Sequence, residues 1–290
     1  MRIIITGGTG FIGTRLVEHL RKQGVPTLLL TRDRQKTGRN CIFVDIEDQA
    51  SWSNMRILPT DRLIHLAWDH MTDFNDPRHY SELLPNHLKF LTWCVNQGIG
   101  DITVAGTCFE YGYVEGVLSE NHHTEPLTAY GIAKDALRRS LEHLSTRVSF
   151  SLKWARIFYV RGDRDREKGV FRLIRDAVER GEKEIRLTWG EQLRDYLTRS
   201  EIGAFLSHLS LQNEVLGVVN CCSGRPLSMR RAIEEYAGQW PHLCLRFGEE
   251  PYRSYEPMAF WGNRERMDAV LDAPIITTHA VQTVIQGERA

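Results

Sequence analysis

Gly7, Gly10 and Gly13 fall at three-residue intervals between two runs of opposite character. Before them, Met1 to Thr6 is short, apolar and rich in β-branched residues, as in a buried strand. After them, Leu16, Val17 and Leu20 recur at helical spacing. The glycines therefore sit where a first strand hands over to a helix. Glycine there permits positive φ and lets the backbone approach a ligand closely. The helix N-terminus beyond offers unpaired N–H groups and a partial positive charge suited to a pyrophosphate. The spacing G-x-x-G-x-x-G departs from the common G-x-G-x-x-G fingerprint. Its place between strand and helix still predicts a nucleotide site and a parallel α/β sheet.

The second predicted strand, Pro26 to Thr31, ends in Arg32, Asp33 and Arg34. A dinucleotide fold reads the adenosine ribose at this point: a carboxylate accepts a 2′-hydroxyl, and an arginine suits a 2′-phosphate. Arg32 and Arg34 favour NADP(H), and Asp33 between them keeps NAD(H) open. A third strand runs from Cys41 to Asp45 and a fourth from Asp61 to Ala67. A long helix is expected over Tyr80 to Gln97, apolar on more than one face, which calls for packing on the sheet and on something else such as a second subunit. Asp101 to Ala105 reads as a fifth strand with Thr107 just past its end, and Val148 to Ala155 as a sixth. Strands alternating with helices imply a doubly wound parallel sheet, with helices on both faces.

From about residue 162 the pattern changes to a charged loop and a smaller mixed region. That region carries helices near Val170 to Glu179, after Ser200 and from Ser228, with strands at Glu184 to Thr188 and Gly217 to Cys221. Residues 1–161 are thus expected to form a nucleotide-binding domain, its sheet completed by part of 190–225, and 162–290 mainly a substrate-binding region. The polar link from Gly112 to Glu125 is a candidate pocket wall.

Lysine plus arginine and aspartate plus glutamate number 37 each, so the net charge is zero and neither nucleic acid nor an anionic membrane is the expected partner. No apolar run approaches a membrane span, and the N-terminus reads as a strand and glycine turn rather than a signal peptide. The cysteines show no C-x-x-C spacing, and His122-His123 lacks a third ligand nearby, so no metal site is expected. Reduced thiols in a cytoplasmic protein fit this composition.

Tyr130 and Lys134 stand one helical turn apart at the start of a predicted helix. A neighbouring ammonium favours the phenolate, so the expectation is a tyrosine of lowered pKa, able to exchange a proton with a carbonyl or alcohol oxygen. Tyr-x3-Lys alone is a common spacing on protein surfaces. Thr107 upstream and the glycine turn give it meaning.

These residues resemble the extended short-chain dehydrogenase/reductase family, which contains nucleotide-sugar epimerases, dehydratases and reductases. Thr6 to Gly13 resembles its glycine loop, and His65-Leu-Ala-Trp68 its His-Leu-Ala-Ala segment. Ala105 to Gly112 is similar to the family's active-site hydroxyl motif and Arg156 to Gly162 to its Arg-x-x-Asn-x-x-Gly-Pro. Arg194-Asp-Tyr-Leu resembles its Arg-Asp-Phe-(Ile/Val), and Val219 to Gly224 its Tyr-Asn-x-Gly-x-Gly. The match runs from residue 2 to about residue 240. Tyr159 stands where asparagine is usual, Asp163 where proline is usual and Trp68 where alanine is usual, which alters the expected substrate pocket. The last 50 residues resemble, more weakly, the C-terminal part of bacterial 4-keto-6-deoxyhexose reductases.

The resemblance implies a Rossmann-type sheet and three catalytic residues, Thr107, Tyr130 and Lys134. It implies cofactor contacts from Gly7, Gly10, Phe11, Ile12, Gly13, Arg32, Asp45, Ile46, Leu66, Ala67 and Trp68, with Tyr130 and Lys134. Substrate contacts are expected from Thr107, Cys108, Tyr159 and Arg194, the last on a diphosphate. The implied chemistry is hydride transfer between a nicotinamide and a sugar carbon. Family dehydratases carry Asp-Glu directly after the threonine; Cys108 and Phe109 stand there instead, and Glu110 comes one place late. A reductase of a nucleotide-diphosphate 4-keto-6-deoxyhexose is therefore the first expectation, a 4-epimerase the second. A silent NADP(H)-binding regulator and an enzyme of a non-sugar carbonyl are the readings of another class. A homodimer is expected from the family.

Overall fold

The computed structural model describes residues 1–161, 169–252 and 257–276. The charged stretch 162–168, which includes Gly162 and Asp163 of the sequence motif, lies outside the described residues, as do Tyr255 and the C-terminal residues from 277.

Seven parallel strands form the central sheet: β1 (Ile3–Thr6), β2 (Thr27–Thr31), β3 (Cys41–Phe43), β4 (Arg62–His65), β5 (Asp101–Thr107), β6 (Ser151–Ile157) and β7 (Gly217–Cys221). Their spatial order is β7-β6-β5-β4-β1-β2-β3, so the strand order reverses between β1 and β4, the place where such sheets bind ligands. The expected α/β doubly wound architecture is what forms. β5 runs through Thr107, two residues beyond its expected end, because its pairing with β6 continues to Thr107 opposite Ile157. The threonine is the last residue of the strand rather than the first of the loop.

The sheet is buried on both faces, as the continuous apolar strands require. Ile3 and Ile5 point to one side with Leu16, Leu20, Ile202, Phe205 and Leu209. Ile4 points to the other, with Leu28, Phe90, Leu91, Ile102, Leu137 and Trp154. The helix after β1, α1 (Gly13–Lys22), packs closely on the helix Arg199–Leu211. That approach needs Gly203, where an added Cβ would lie 2.8 Å from the backbone at Arg15 and Leu16.

The long helix expected over Tyr80 to Gln97 forms in two parts. One π turn, His79–Leu83, runs into α2 (Leu84–Asn96), which has Pro85 in its first turn, where a missing N–H costs nothing. α3 (Ala129–Ser145) follows β5 and packs against α2.

After β6 the chain leaves the sheet. It builds a parallel pair from Tyr159–Arg161 and Leu193–Thr198, and a second from Glu184–Leu187 and Cys244–Phe247. Between Leu193–Thr198 and Cys244–Phe247 it returns to the main sheet as β7. Phe260–Gly262 pairs with Gly116–Leu118, tying the polar link after β5 to the C-terminal region. Asp195 anchors this region: its buried carboxylate accepts from Ser223 N and Oγ, Gly224 N and Gly262 N, at 2.6, 2.7, 2.9 and 3.2 Å. Among the described residues no helix is long and apolar enough to cross a membrane.

Candidate active site

The glycine turn is built by close backbone contact. Gly7 has φ 70°, and a Cβ on it would stand 2.8 Å from Ala67 N. A Cβ on Gly13 would meet Gly7 O at 2.1 Å. No larger residue fits either place without moving backbone. The turn is pinned to β4 by Thr6, whose hydroxyl accepts from Leu66 N and Ala67 N, both at 3.2 Å. Ile12 precedes the first turn of α1; no side chain caps that turn and no acidic residue occupies it. The cradle that only glycine permits, opening on an uncapped helix N-terminus, fits a dinucleotide pyrophosphate. Arg199, not anticipated from sequence, clamps this loop: its guanidinium donates to Phe11 O at 2.7 Å and Thr14 Oγ1 at 3.0 Å and lies 4.7 Å from the Phe11 ring centre. The only sequence signal was its place after Thr198, whose side chain caps the helix with Glu201.

At the ends of β2 and β3, Asp33 caps the turn Arg34–Lys36 by accepting from Gln35 N, and Asp45 caps its own turn through Glu47 N at 3.0 Å. Ile46 and Leu66 pack against the two apolar faces of the sheet. Arg32 reaches across to Asp69, donating through both prongs at 2.6 and 3.1 Å.

Thr107, Tyr130 and Lys134 come together at the end of β5. Thr128 caps α3 by accepting from Gly131 N, which fixes the helix start and aims Tyr130 and Lys134 inward. All three nominated side chains are buried. The Thr107 side chain lies near enough to the Tyr130 phenol to draw its pKa down. Lys134 Nζ donates to Ala105 O at 2.9 Å and sits 3.9 Å above the Trp68 ring centre, against 5.9 Å for the Tyr130 ring.

This geometry corrects one expectation. Lys134 does not lower the Tyr130 pKa here; burial raises it, helped by Glu110 and Cys108 and opposed by the Thr107 side chain. Lys134 is itself pushed down to about 7 by burial, with Glu110 acting the other way. The Lys134 ammonium is engaged by Ala105 O and the Trp68 ring, and it makes no counter-charge contribution to the phenol. Tyr130 is thereby held in its protonated form.

The lysine's depressed value has a measurable consequence. Between about 7 and its ordinary 10.5 the unfolded chain holds a proton that the folded chain does not, so stability from this group rises with pH. Lys134→Met removes that desolvation cost. The variant is expected to melt higher than the parent by roughly 5 °C at neutral pH, with a gap that narrows by about pH 9. Thermal melts without added dinucleotide test this, and a gap that widens with pH would contradict it.

An aromatic wall surrounds Tyr130. Phe74 stacks on it with ring centres 5.6 Å apart and planes 28° apart, Trp68 lies at 6.2 Å and His79 at 5.4 Å. Tyr130 N donates to Phe74 O at 2.9 Å, so the segment after β4 is fastened to the start of α3. His79 is locked: it accepts from Trp68 Nε1 at 3.1 Å on Nδ1, which leaves Nε2–H to donate to Asp73 O at 2.9 Å. His65 is not a surface base. It is wholly buried, bonded to Thr6 Oγ1 at 2.9 Å and His87 Nδ1 at 2.7 Å, and burial, then His87 and Lys134, hold it well below the ordinary histidine range.

Glu110 also lies beneath the site and was read in sequence only as misplaced. Its carboxylate, wholly buried, accepts from Thr107 N at 2.8 Å, Trp154 Nε1 at 2.9 Å and Arg156 Nε at 2.7 Å. It faces the protein interior and holds the end of β5 in place.

On the other side a small cavity is lined by Cys108, Phe109, Thr128, Tyr159 and Phe260, with Gly112 of the polar link at its edge. Arg194 is buried alongside, its guanidinium 5.3 Å from the Tyr159 ring centre and 5.1 Å from that of Phe260, donating to Leu193 O and Met258 O at 3.0 and 3.3 Å. Of the four residues nominated for substrate, Cys108 and Tyr159 line this cavity, Arg194 lies against Tyr159, and Thr107 directly precedes Cys108; no grouping of three metal-ligating side chains occurs among the described residues.

Residues 3–221 match the NAD dependent epimerase/dehydratase family. The chain belongs to this family. Among curated family relatives, the dTDP-6-deoxy-L-talose 4-dehydrogenase (NAD(+)) of Aggregatibacter actinomycetemcomitans is 31% identical over 270 residues, covering 90% of this chain and 99% of its own. The ADP-L-glycero-D-manno-heptose-6-epimerase of Alkalilimnicola ehrlichii is 28% identical, over 94% and 99%. Family structures share the fold. TunA, an NAD dependent NDP-hexosamine 5,6-dehydratase, superposes with TM-score 0.79 at 22% identity over 97% of this chain and 94% of its own. The UDP-glucose 4-epimerase of Thermus thermophilus in complex with NAD gives 0.75 at 19%, over 93% and 92%. As a member of an oxidoreductase and epimerase family, this chain has a fold that its relatives use for several reactions, and its own site residues must decide among them.

Proposed function

We propose that this chain reduces the 4-keto group of a nucleotide-diphosphate 4-keto-6-deoxyhexose, with NAD(H) or NADP(H) as the redox partner. The observation that carries the choice is Glu110. A dehydratase needs an acid and a base beside the catalytic threonine. The carboxylate nearest Thr107 in sequence is spent on Trp154 and Arg156, and the two positions directly after Thr107 carry a thiol and a phenyl ring. Similarity to a 4-dehydrogenase of a 6-deoxyhexose over nearly the whole chain supports the same reading.

When bound, the reduced nicotinamide supplies the hydride that goes to C4 of the sugar. The Gly7 to Gly13 cradle and the start of α1 would hold the pyrophosphate, Arg32, Asp45 and Ile46 the adenosine end, and Trp68 with Tyr130 and Lys134 the nicotinamide end. Thr107 fixes the ketone oxygen by a hydrogen bond, and Tyr130 delivers a proton to it as the hydride arrives, leaving a secondary alcohol. Arg194 takes the diphosphate, with Cys108 and Tyr159 shaping the sugar pocket. The assignment includes a cytoplasmic homodimer on the α2 and α3 faces, where Ile132 remains exposed.

The test is to offer NADH and NADPH with a panel of nucleotide-diphosphate 4-keto-6-deoxyhexoses and follow the reduced-nicotinamide absorbance. Stoichiometric loss with appearance of the 4-hydroxy sugar supports the assignment. Conversion of a nucleotide-hexose without net use of cofactor would replace it with a 4-epimerase.

A further inference from the structure

We infer that Asp69 sets the dinucleotide preference of this chain by acting as the counter-ion of Arg32. The inference rests on the cofactor reading above and adds a residue that the reading does not contain. Arg32 follows β2 and Asp69 follows β4, and β1 lies between those strands in the sheet. The bidentate pair at 2.6 and 3.1 Å therefore spans the end of β1, where the glycine turn leaves the sheet. Both side chains keep substantial contact with solvent, 63% for Arg32 and 41% for Asp69, so a ligand can reach them.

The neighbouring charges that follow Arg32 after β2 are otherwise engaged. Arg34 stacks 3.7 Å from the Phe43 ring centre, and Lys36 pairs with Asp33 at 3.1 Å while Asp33 also caps its turn. The choice at the adenosine ribose then falls to Arg32 and Asp69. An arginine fork alone would favour a 2′-phosphate, which binds two prongs as a carboxylate does. Here the prongs are already filled by Asp69, so a phosphate must displace the carboxylate and then lie beside it as a like charge. A 2′-hydroxyl carries no such penalty, and it can donate to a carboxylate. Asp69 thus offsets the NADP(H) bias that Arg32 would impose and lets NAD(H) compete.

Calorimetric titration of NAD+ and NADP+ into the parent, Asp69→Asn, Arg32→Ala and the double variant tests this, with thermal melts to check folding. Asp69→Asn keeps a side chain of the same size and removes the charge. It is expected to tighten NADP+ about tenfold and to change NAD+ by less than about threefold. Arg32→Ala should weaken NADP+ about tenfold, and adding it to Asp69→Asn should cancel the gain. The ratio of kcat/KM with the two reduced cofactors should follow the affinities. Asp69→Asn leaving both affinities unchanged, or moving both by one factor, would overturn the inference while the cofactor reading stands. A parent that binds neither dinucleotide would remove both.

Discussion

Tyr130→Phe is expected to lower kcat by at least about a thousandfold while leaving dinucleotide affinity within about twofold. The substitution removes one oxygen and keeps the ring. That ring is held by Phe74 at 5.6 Å, by His79 at 5.4 Å and by Trp68 at 6.2 Å, none of which involves the hydroxyl. The pocket therefore keeps its shape, and Tyr130 N still donates to Phe74 O. Without the phenol, the oxygen that gains negative charge during hydride addition loses its assigned proton donor and keeps the Thr107 hydroxyl as its hydrogen-bond partner. The split between kcat and affinity is what separates a proton donor from a packing residue, which would move both. Single-turnover reduction with saturating cofactor, combined with calorimetric binding, measures the two quantities. A variant keeping more than about a tenth of parental turnover would remove Tyr130 as the proton donor.

The second large effect is on stability. Glu110→Ala should lower stability by about 3–5 kcal/mol, a loss of roughly 10 °C in melting temperature. Arg156 and Glu110 are both fully enclosed, with Nε to Oε2 at 2.7 Å, and Arg138 stands 3.8 Å from the same carboxylate. Taking away the acid leaves the Arg156 guanidinium buried without its counter-charge, and the Trp154 indole N–H and Thr107 N–H without acceptors. Glu110→Gln retains an acceptor for Thr107 N and Trp154 but no charge for Arg156, so it should fall between the two. At a temperature where Glu110→Ala is still folded, its residual turnover should also be low, because Thr107 loses the bond that fixes its backbone. Melts of the three proteins give the order; equal stability of Glu110→Ala and the parent would contradict it.

The frame was legible from local pattern. Ile3 to Thr6, the glycine triplet and the Leu16–Leu20 face say strand, turn and helix in one direction, and strand, helix and tertiary packing agree there. Tyr130 and Lys134 fall on one helix, as their four-residue spacing implied, and Thr128 caps its start. What escaped were properties that depend on residues distant in the chain. The direction of the Tyr130 shift is set by burial under Phe74 and Trp68, and no spacing between positions 130 and 134 reports burial. Glu110 looked misplaced because its value lies in Arg156, 46 residues on, across the β5–β6 pair. Arg199 is 188 residues from Phe11 in sequence and in contact with it in space. The Arg32–Asp69 pair depends on β1 lying between β2 and β4, which the strand order shows and the segment around Arg32 does not.

The late return of the chain to the sheet as β7 has a bearing on how the protein is made. β6 pairs with β7 along Lys153 to Ile157, so during synthesis β6 stays an open edge until Gly217 to Cys221 has been translated. Lys153, fully buried in the finished fold, bonds both Asp101 at 2.7 Å and Gln212 O at 2.7 Å, and the second of these partners also arrives late. A nascent or truncated chain that stops short of β7 thus presents an unpaired strand edge able to pair with another copy. The half of the molecule that holds the glycine cradle and Tyr130 is complete in sequence well before it is safe from aggregation, and the five residues of the last strand close it.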